Sequence, residues 1–166
     1  MASTETQYVL PVPMFDKPVK LLIVVAPYYK DITDQMVAGA TAAAAVCGAQ
    51  VDVVEVPGAL EVPTAIGMAE RQAKYDGYVA LGCVIRGETT HYDTVCNDSS
   101  NALMLLGLQG SAIGNGILTV ENREQAQVRA DTSGQNKGGG AAMAALHLIA
   151  LRRTWAGQTK GIGFRP

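Results

Sequence analysis

Charge and aromatic side chains are both scarce in this chain. Only 17% of its residues are charged, 5% are aromatic, and one is tryptophan. A lone domain of 166 residues normally spreads more charge over its surface, so this balance, with 48% apolar residues, points to surface covered by subunit contacts. A basic excess is missing too. The net charge of −2 gives no field to draw a nucleic acid or an acidic membrane, and neither partner is expected. No apolar run approaches the ~18–20 residues that cross a bilayer. Met1 to Gln7 is polar, without the apolar stretch of a secretory leader, so a cytoplasmic protein is expected. Cys47, Cys83 and Cys96 lack metal-ligand spacing and lie in apolar contexts, as reduced core thiols do. Walker loop, GxGxxG, HExxH and CxxC motifs are all absent, so the expectation is no cofactor and no metal.

What is present is an alternation of apolar runs and helical patterns. Residues 1–19, broken by Pro11, Pro13 and Pro18, read as an N-terminal arm whose Tyr8-Val9-Leu10 can pair briefly with a sheet edge. Residues 20–155 read as one domain, and residues 156–166 as a mobile tail without periodicity. Val19 to Ala26 is apolar on both faces, which suits a central parallel strand. Asp31 or Thr33 can cap a helix to about Cys47, with Ile32, Met36, Ala40, Ala43 and Cys47 on one stripe and Gly48 closing it. Val51 to Val56 is a second strand, and Pro57-Gly58 turns into a helix that ends near Lys74. Gly77 to Val84 is a third strand, followed by a helix from about Tyr92 to Leu106. Ser111 to Leu118 is a fourth. Asn122 caps a short helix through Arg129, with Gln125 at the capping-box position, and Ala141 to Arg153 is the last helix.

Such alternation with short loops implies right-handed crossovers and a parallel sheet covered on both faces. The expected fold is α/β: a flavodoxin-like three-layer sandwich on a four-stranded parallel sheet of order 2-1-3-4. The winding then reverses between the first and third strands, and ligands bind outside the carboxyl ends there. The loops at that point carry Tyr28-Tyr29 and Gly87 to His91.

The second of these loops has chemistry of its own. A strand that turns into a helix through Gly87-Glu88-Thr89-Thr90 aims backbone N–H groups at an anion. The same residues also fit an ordinary cap that binds nothing. His91, in the same turn, is a side chain that can shuttle protons near neutral pH, or a solvent-exposed helix start. His147, inside the apolar last helix, reads as a packed structural histidine. Arg129 and Lys137 flank a polar turn, either as phosphate clamps or as solvated charges. Glu61 suits a helix start through the dipole alone, or accepts hydrogen bonds from a polyol. Tyr28 can stack on a flat heterocycle or merely cover the core.

Four stretches in register carry a resemblance: Val56-Pro57-Gly58-Ala59-Leu60-Glu61-Val62-Pro63, Ala80 to Asp93, Gly116 to Thr119 with Glu124-Gln125-Ala126, and Asn136-Lys137-Gly138. From about Leu21 to Arg153 the chain closely resembles the lumazine synthase family. The resemblance implies a transferase of riboflavin biosynthesis that condenses 5-amino-6-(D-ribitylamino)uracil with 3,4-dihydroxy-2-butanone 4-phosphate, without cofactor or metal, and releases phosphate and water. It implies that Tyr28 stacks on the pyrimidine, and that Ala59, Leu60 and Glu61 meet the ribityl chain and ring edge. Cys83, Val84 and Ile85 would contact the ring through backbone groups. Glu88 and Thr89 would hold the phosphate through their amides, with Arg129 on the same phosphate, Lys137 nearby and His91 transferring protons. It further implies a homo-oligomer, pentamer-based, whose pocket spans two subunits with the Asn115 and Arg129 side supplied by the neighbour. The chain departs from the family at Asn115, where an aromatic residue is usual, at Tyr28, more often Phe or Trp, and at Glu88, frequently Ala. The rival reading is a non-catalytic flavin- or lumazine-binding protein, or a shell scaffold, of the same fold.

Overall fold

The structure, a computed structural model, describes the backbone of residues 8–161 and the side chains of residues 8–157. Its elements are β1 (Lys20–Val25), α1 (Lys30–Val46), β2 (Gln50–Glu55), α2 (Glu61–Gln72), β3 (Gly77–Ile85), α3 (His91–Leu108), β4 (Ile113–Val120), α4 (Arg123–Ala130) and α5 (Lys137–Gly161). All strand pairings are parallel, and the sheet order is β2-β1-β3-β4, as the alternation predicts. β1 is the hinge of that order, pairing Leu21 with Val51 on one side and with Gly77 on the other.

The pleat divides the core in two. Leu21, Ile23 and Val25 point into one apolar layer with Ile32, Met36, Ala40 and Ala44 of α1 and Ala142, Ala145, Leu146 and Ile149 of α5. Leu22 and Val24 point the other way, onto Val62 and Ile66 of α2 and Leu103 of α3. α1, α4 and α5 therefore cover one face and α2 and α3 the other. Small residues set the spacing of the first face. A Cβ on Gly114 of β4 would overlap the carbonyl of Ala141 in α5, so strand and helix approach to backbone contact. Gly48 ends α1 in the left-handed region, at φ 68°, where a side chain is strained.

Several boundaries differ from the sequence expectation. α1 begins at Lys30 and is capped neither by Asp31 nor by Thr33. The Tyr29 carbonyl takes the first N–H groups, Asp31 is drawn to Arg123, and the Thr33 hydroxyl donates backward to the carbonyls of Tyr29 and Lys30. Ala43 and Cys47 are only half-buried, because Gly39 and Ala44 take the inner positions beside Met36 and Ala40. β4 is shifted two places later than expected, Ile113–Val120, after Gly110 at φ 105° redirects the chain. The Asn122 cap forms as expected, its Oδ1 accepting from the Gln125 N–H at 3.0 Å, while Gln125 Oε1 accepts from the Glu121 N–H at 2.9 Å.

α5 is the largest departure, starting at Lys137 rather than Ala141 and running on to Gly161 rather than stopping at Arg153. Asn136, at φ 45°, begins it, its Oδ1 accepting from the Gly139 N–H. Buried packing of Gly138 and Gly139 offsets their weak helix propensity. Arg152 and Arg153 tie the far end down through Asp76, Lys17 and Pro18. The helix thus occupies the beginning of the stretch expected as a mobile tail; residues 162–166 lie outside the described residues. Residues 8–19 form neither helix nor strand, so Tyr8-Val9-Leu10 pairs with no sheet edge in this chain. Pro13 is nevertheless buried, and Phe15 lies under the Arg153 guanidinium. Among the described residues no helix is long and apolar enough to cross a membrane.

The Gly114 contact predicts a sharp contrast between two glycines. Gly114→Ala should destabilise the fold by about 1–3 kcal/mol or more through backbone overlap. Gly107→Ala, whose added Cβ meets open space in α3, should be neutral or stabilising by up to about 1 kcal/mol. Thermal unfolding of the two variants checks the order.

Candidate active site

The reversal of winding between β1 and β3 leaves a cleft of about 460 Å³ above their carboxyl ends. Ala26, Tyr28 and Tyr29 line it after β1. Gly58, Ala59, Leu60 and Glu61 close one side at the start of α2. Cys83, Val84 and Ile85 form its floor at the end of β3, and Gly87, Thr89 and His91 form the rim at the start of α3. These elements meet here because a parallel sheet sends every chain exit to the same edge, and β1 and β3 are neighbours in it.

The rim leaves backbone N–H groups at a helix start without partners among the described residues. α3 begins at His91 without a side-chain cap, and the N–H groups of Glu88, Thr89 and Thr90 make no hydrogen bond among the described residues. Thr89 Oγ1 accepts weakly from the His91 N–H at 3.4 Å, leaving its own proton to donate outward. Glu88 is exposed and does not line the cleft. His91 is exposed at the mouth. Opposite it, Tyr28 is 76% exposed, with its ring edge-on to Tyr29 at 5.0 Å, which leaves a face free for a planar ligand. Glu61 is exposed in the first turn of α2.

Electrostatics separate the floor from the rim. Cys83 is 5% exposed, and burial pushes its thiol up to about 11, so it stays protonated and unreactive at neutral pH. With that thiol neutral, the polar groups of the floor are backbone amides and carbonyls. Above it, Arg86 pairs with Glu121 at 2.7 Å and Asp93 at 3.4 Å, and its guanidinium lies 4.1 Å from the Tyr92 ring centre.

Three of the candidate residues are elsewhere. Asn115, Arg129 and Lys137 line a second cleft, of about 830 Å³, along β4 and the start of α5. Asn115 is exposed and its Oδ1 accepts from the Ile117 N–H; Arg129 is half-buried and donates to the Gln125 carbonyl at 3.0 Å. One chain therefore does not bring Arg129 to the rim that carries His91. His147, expected as a packed core histidine, is half-buried in the wall of this second cleft, because its face of α5 turns toward β4's exposed edge. Sequence reasoning missed Tyr92 and Val95 in the first cleft. Val95 lies one helical turn beyond His91, and that spacing was the available signal. Among the described residues no group of acidic, histidine and cysteine side chains is arranged to hold a metal ion.

With this geometry in place, the comparisons with known proteins agree on one family. Residues 18–153 match the family model described as 6,7-dimethyl-8-ribityllumazine synthase. A 6,7-dimethyl-8-ribityllumazine synthase of Jannaschia sp. (strain CCS1) is 56% identical over 157 residues, covering 95% of this chain and 88% of the relative. The 6,7-dimethyl-8-ribityllumazine synthase 1 of Rhizobium meliloti (strain 1021) is 55% identical over 143 residues, covering 82% and 94%. That of Bartonella henselae is 54% identical over 140 residues, covering 82% and 90%. Similarity of that degree over the whole sheet, its helices and both clefts means that this chain belongs to the 6,7-dimethyl-8-ribityllumazine synthase family.

Proposed function

We propose that this chain, acting in the cytoplasm, condenses 5-amino-6-(D-ribitylamino)uracil with 3,4-dihydroxy-2-butanone 4-phosphate to 6,7-dimethyl-8-ribityllumazine, the penultimate step of riboflavin biosynthesis. The observation that carries this reading is the first cleft, where a free tyrosine face, unbonded amides at a helix start and an imidazole surround one space. Tyr28 stacks on the pyrimidine, Ala59, Leu60 and Glu61 take the ribityl chain, and backbone groups of Cys83, Val84 and Ile85 meet the ring edge. The amides of Glu88 and Thr89 hold the phosphate at the positive end of α3.

The aryl amine attacks the ketone, and the carbinolamine loses water to give an imine. Phosphate then leaves by elimination, and the ring closes with loss of a second water. His91, beside the phosphate amides, moves the protons. Aligning two reactants can supply about 7–11 kcal/mol, whereas one acid–base group typically gives ~10²–10⁴-fold, so proximity carries most of the rate.

Asn115, Arg129 and Lys137 complete this site from a neighbouring copy in a pentamer-based assembly. Their separate cleft supports that reading, as do the exposed apolar side chains Met104, Leu105 and Leu108 on α3 and Leu148 and Leu151 on α5.

A spectroscopic assay of lumazine formation from the two substrates tests the reaction; a chain that binds lumazine but forms none is a binding protein only. His91→Ala should slow turnover by about 10²–10⁴-fold without abolishing it, measured on variant protein that still assembles and binds. Arg129→Ala should mainly raise the KM for the butanone phosphate, by about ten-fold or more, because a charge-assisted contact is lost. Sedimentation showing a monomer with full activity would remove the shared site. Cys83 should resist iodoacetamide in the native protein at pH 8 and react on unfolding, read by mass spectrometry, since its thiol titrates near 11.

A further inference from the structure

The corner that follows β4, Glu121-Asn122-Arg123, touches neither cleft lining, yet both loops of the first cleft are tied to it. On one side, Arg86 leaves β3 with its N–H bonded to the Val120 carbonyl at 3.0 Å, the last rung between β3 and β4. Its side chain then reaches both ways. Nε donates to Glu121 at 2.7 Å, Nη1 donates to Asp93 in the first turn of α3, and the planar group covers Tyr92. Between those anchor points Gly87 and Glu88 make no hydrogen bond among the described residues, and Thr89 and Thr90 bond only to α3, so the loop's place is set from its flanks. On the other side, Arg123 pairs with Asp31, which lies three residues after Tyr28 at the start of α1.

The corner is stiff. Asn122 Oδ1 accepts from the Gln125 N–H and Gln125 Oε1 accepts from the Glu121 N–H, which ties Glu121 and Asn122 to the first turn of α4. Arg86 and Glu121 are exposed, as are Arg123 and Asp31. Exposed ion pairs add little to stability, so their weight lies in orientation. Arginine is suited to this, because a rigid planar fork donates to two acids in fixed directions while it stacks on a ring, whereas an ammonium is a rotatable point charge that fixes neither direction.

We infer that Glu121-Asn122-Arg123 is a positioning corner that seats the two substrate loops separately, the phosphate amides through Arg86 and the Tyr28 loop through Arg123. The inference rests on the proposed reaction for its substrates. Neither arginine lines the first cleft; each acts through the loop it holds.

The test is steady-state kinetics of the assembled full-length protein with each substrate varied in turn. Arg86→Met should raise the KM for the butanone phosphate on the order of ten-fold and leave that for the pyrimidine within about two-fold. Arg123→Met should do the reverse. Arg86→Lys should not restore the first, and the exchanged pair Asp31→Arg with Arg123→Asp should recover much of the second. Parallel changes in both KM values, or none, would overturn the corner's role. Wild-type protein that forms no lumazine would instead refute the reaction. The same variants are then titrated calorimetrically with inorganic phosphate and with the pyrimidine, where the split in affinity either appears and supports the corner or is absent and sinks it.

Discussion

The ladder between β1 and β3 is the constraint on which the rest depends. Both strands are buried on both faces, and each has a further strand on its outer side. Neighbours in space, they are separated in sequence by α1, β2 and α2, so their exit loops diverge, one toward α1 and the other toward α3. The gap between diverging loops is the first cleft. Its floor inherits the rigidity of the sheet, and its walls are helix starts, whose unpaired N–H groups are a property of every helix. A cleft walled by helix starts thus follows from strand order before any particular side chain is considered.

The opposite edge of the sheet has a different logic. Among the described residues β4 has no strand beyond it, and its carboxyl half, with α4 and the start of α5, borders a broad second cleft that carries Arg129, Lys137 and His147. Arg129 and Lys137 thus line a different cleft from Thr89 and His91, as expected if the proposed site is completed by a second copy. The low charge fraction and the exposed leucines and methionines fit the proposed assembly, in which such surface would be covered by a second copy. The corner Glu121–Arg123 lies where the two halves meet within one chain: it grips the loops of the first cleft and begins the helix that carries Arg129.

Much of the fold was legible because it depends on local pattern. Apolar runs that alternate with helical stripes gave the parallel sheet and its order, and Asn122 with Gln125 gave a cap that forms as expected. The misreadings share one cause: a distant partner overrode a local preference. Asp31 is a good cap residue, but Arg123, 92 positions away, takes its carboxylate. The last helix is expected only from Ala141, yet packing against α1 draws Gly138 and Gly139 into it. His147 sits in an apolar stretch, but the face it occupies looks onto a cleft.

The sequence by itself determined the layers, the strand order and the motifs that mark the family, because hydrophobic period and turn chemistry act over a few residues. It also named the residues of the candidate site. Only the tertiary structure decided how those residues are grouped: Tyr28, Glu61, Cys83 and His91 around one space, Asn115, Arg129 and Lys137 around another. The physical reason is that each face of a strand and each end of a sheet selects different neighbours, and those neighbours come from distant parts of the chain. The ion pairs that tie β4's end to both loops belong to the same class, since their partners lie 35 and 92 positions apart and no local pattern announces them.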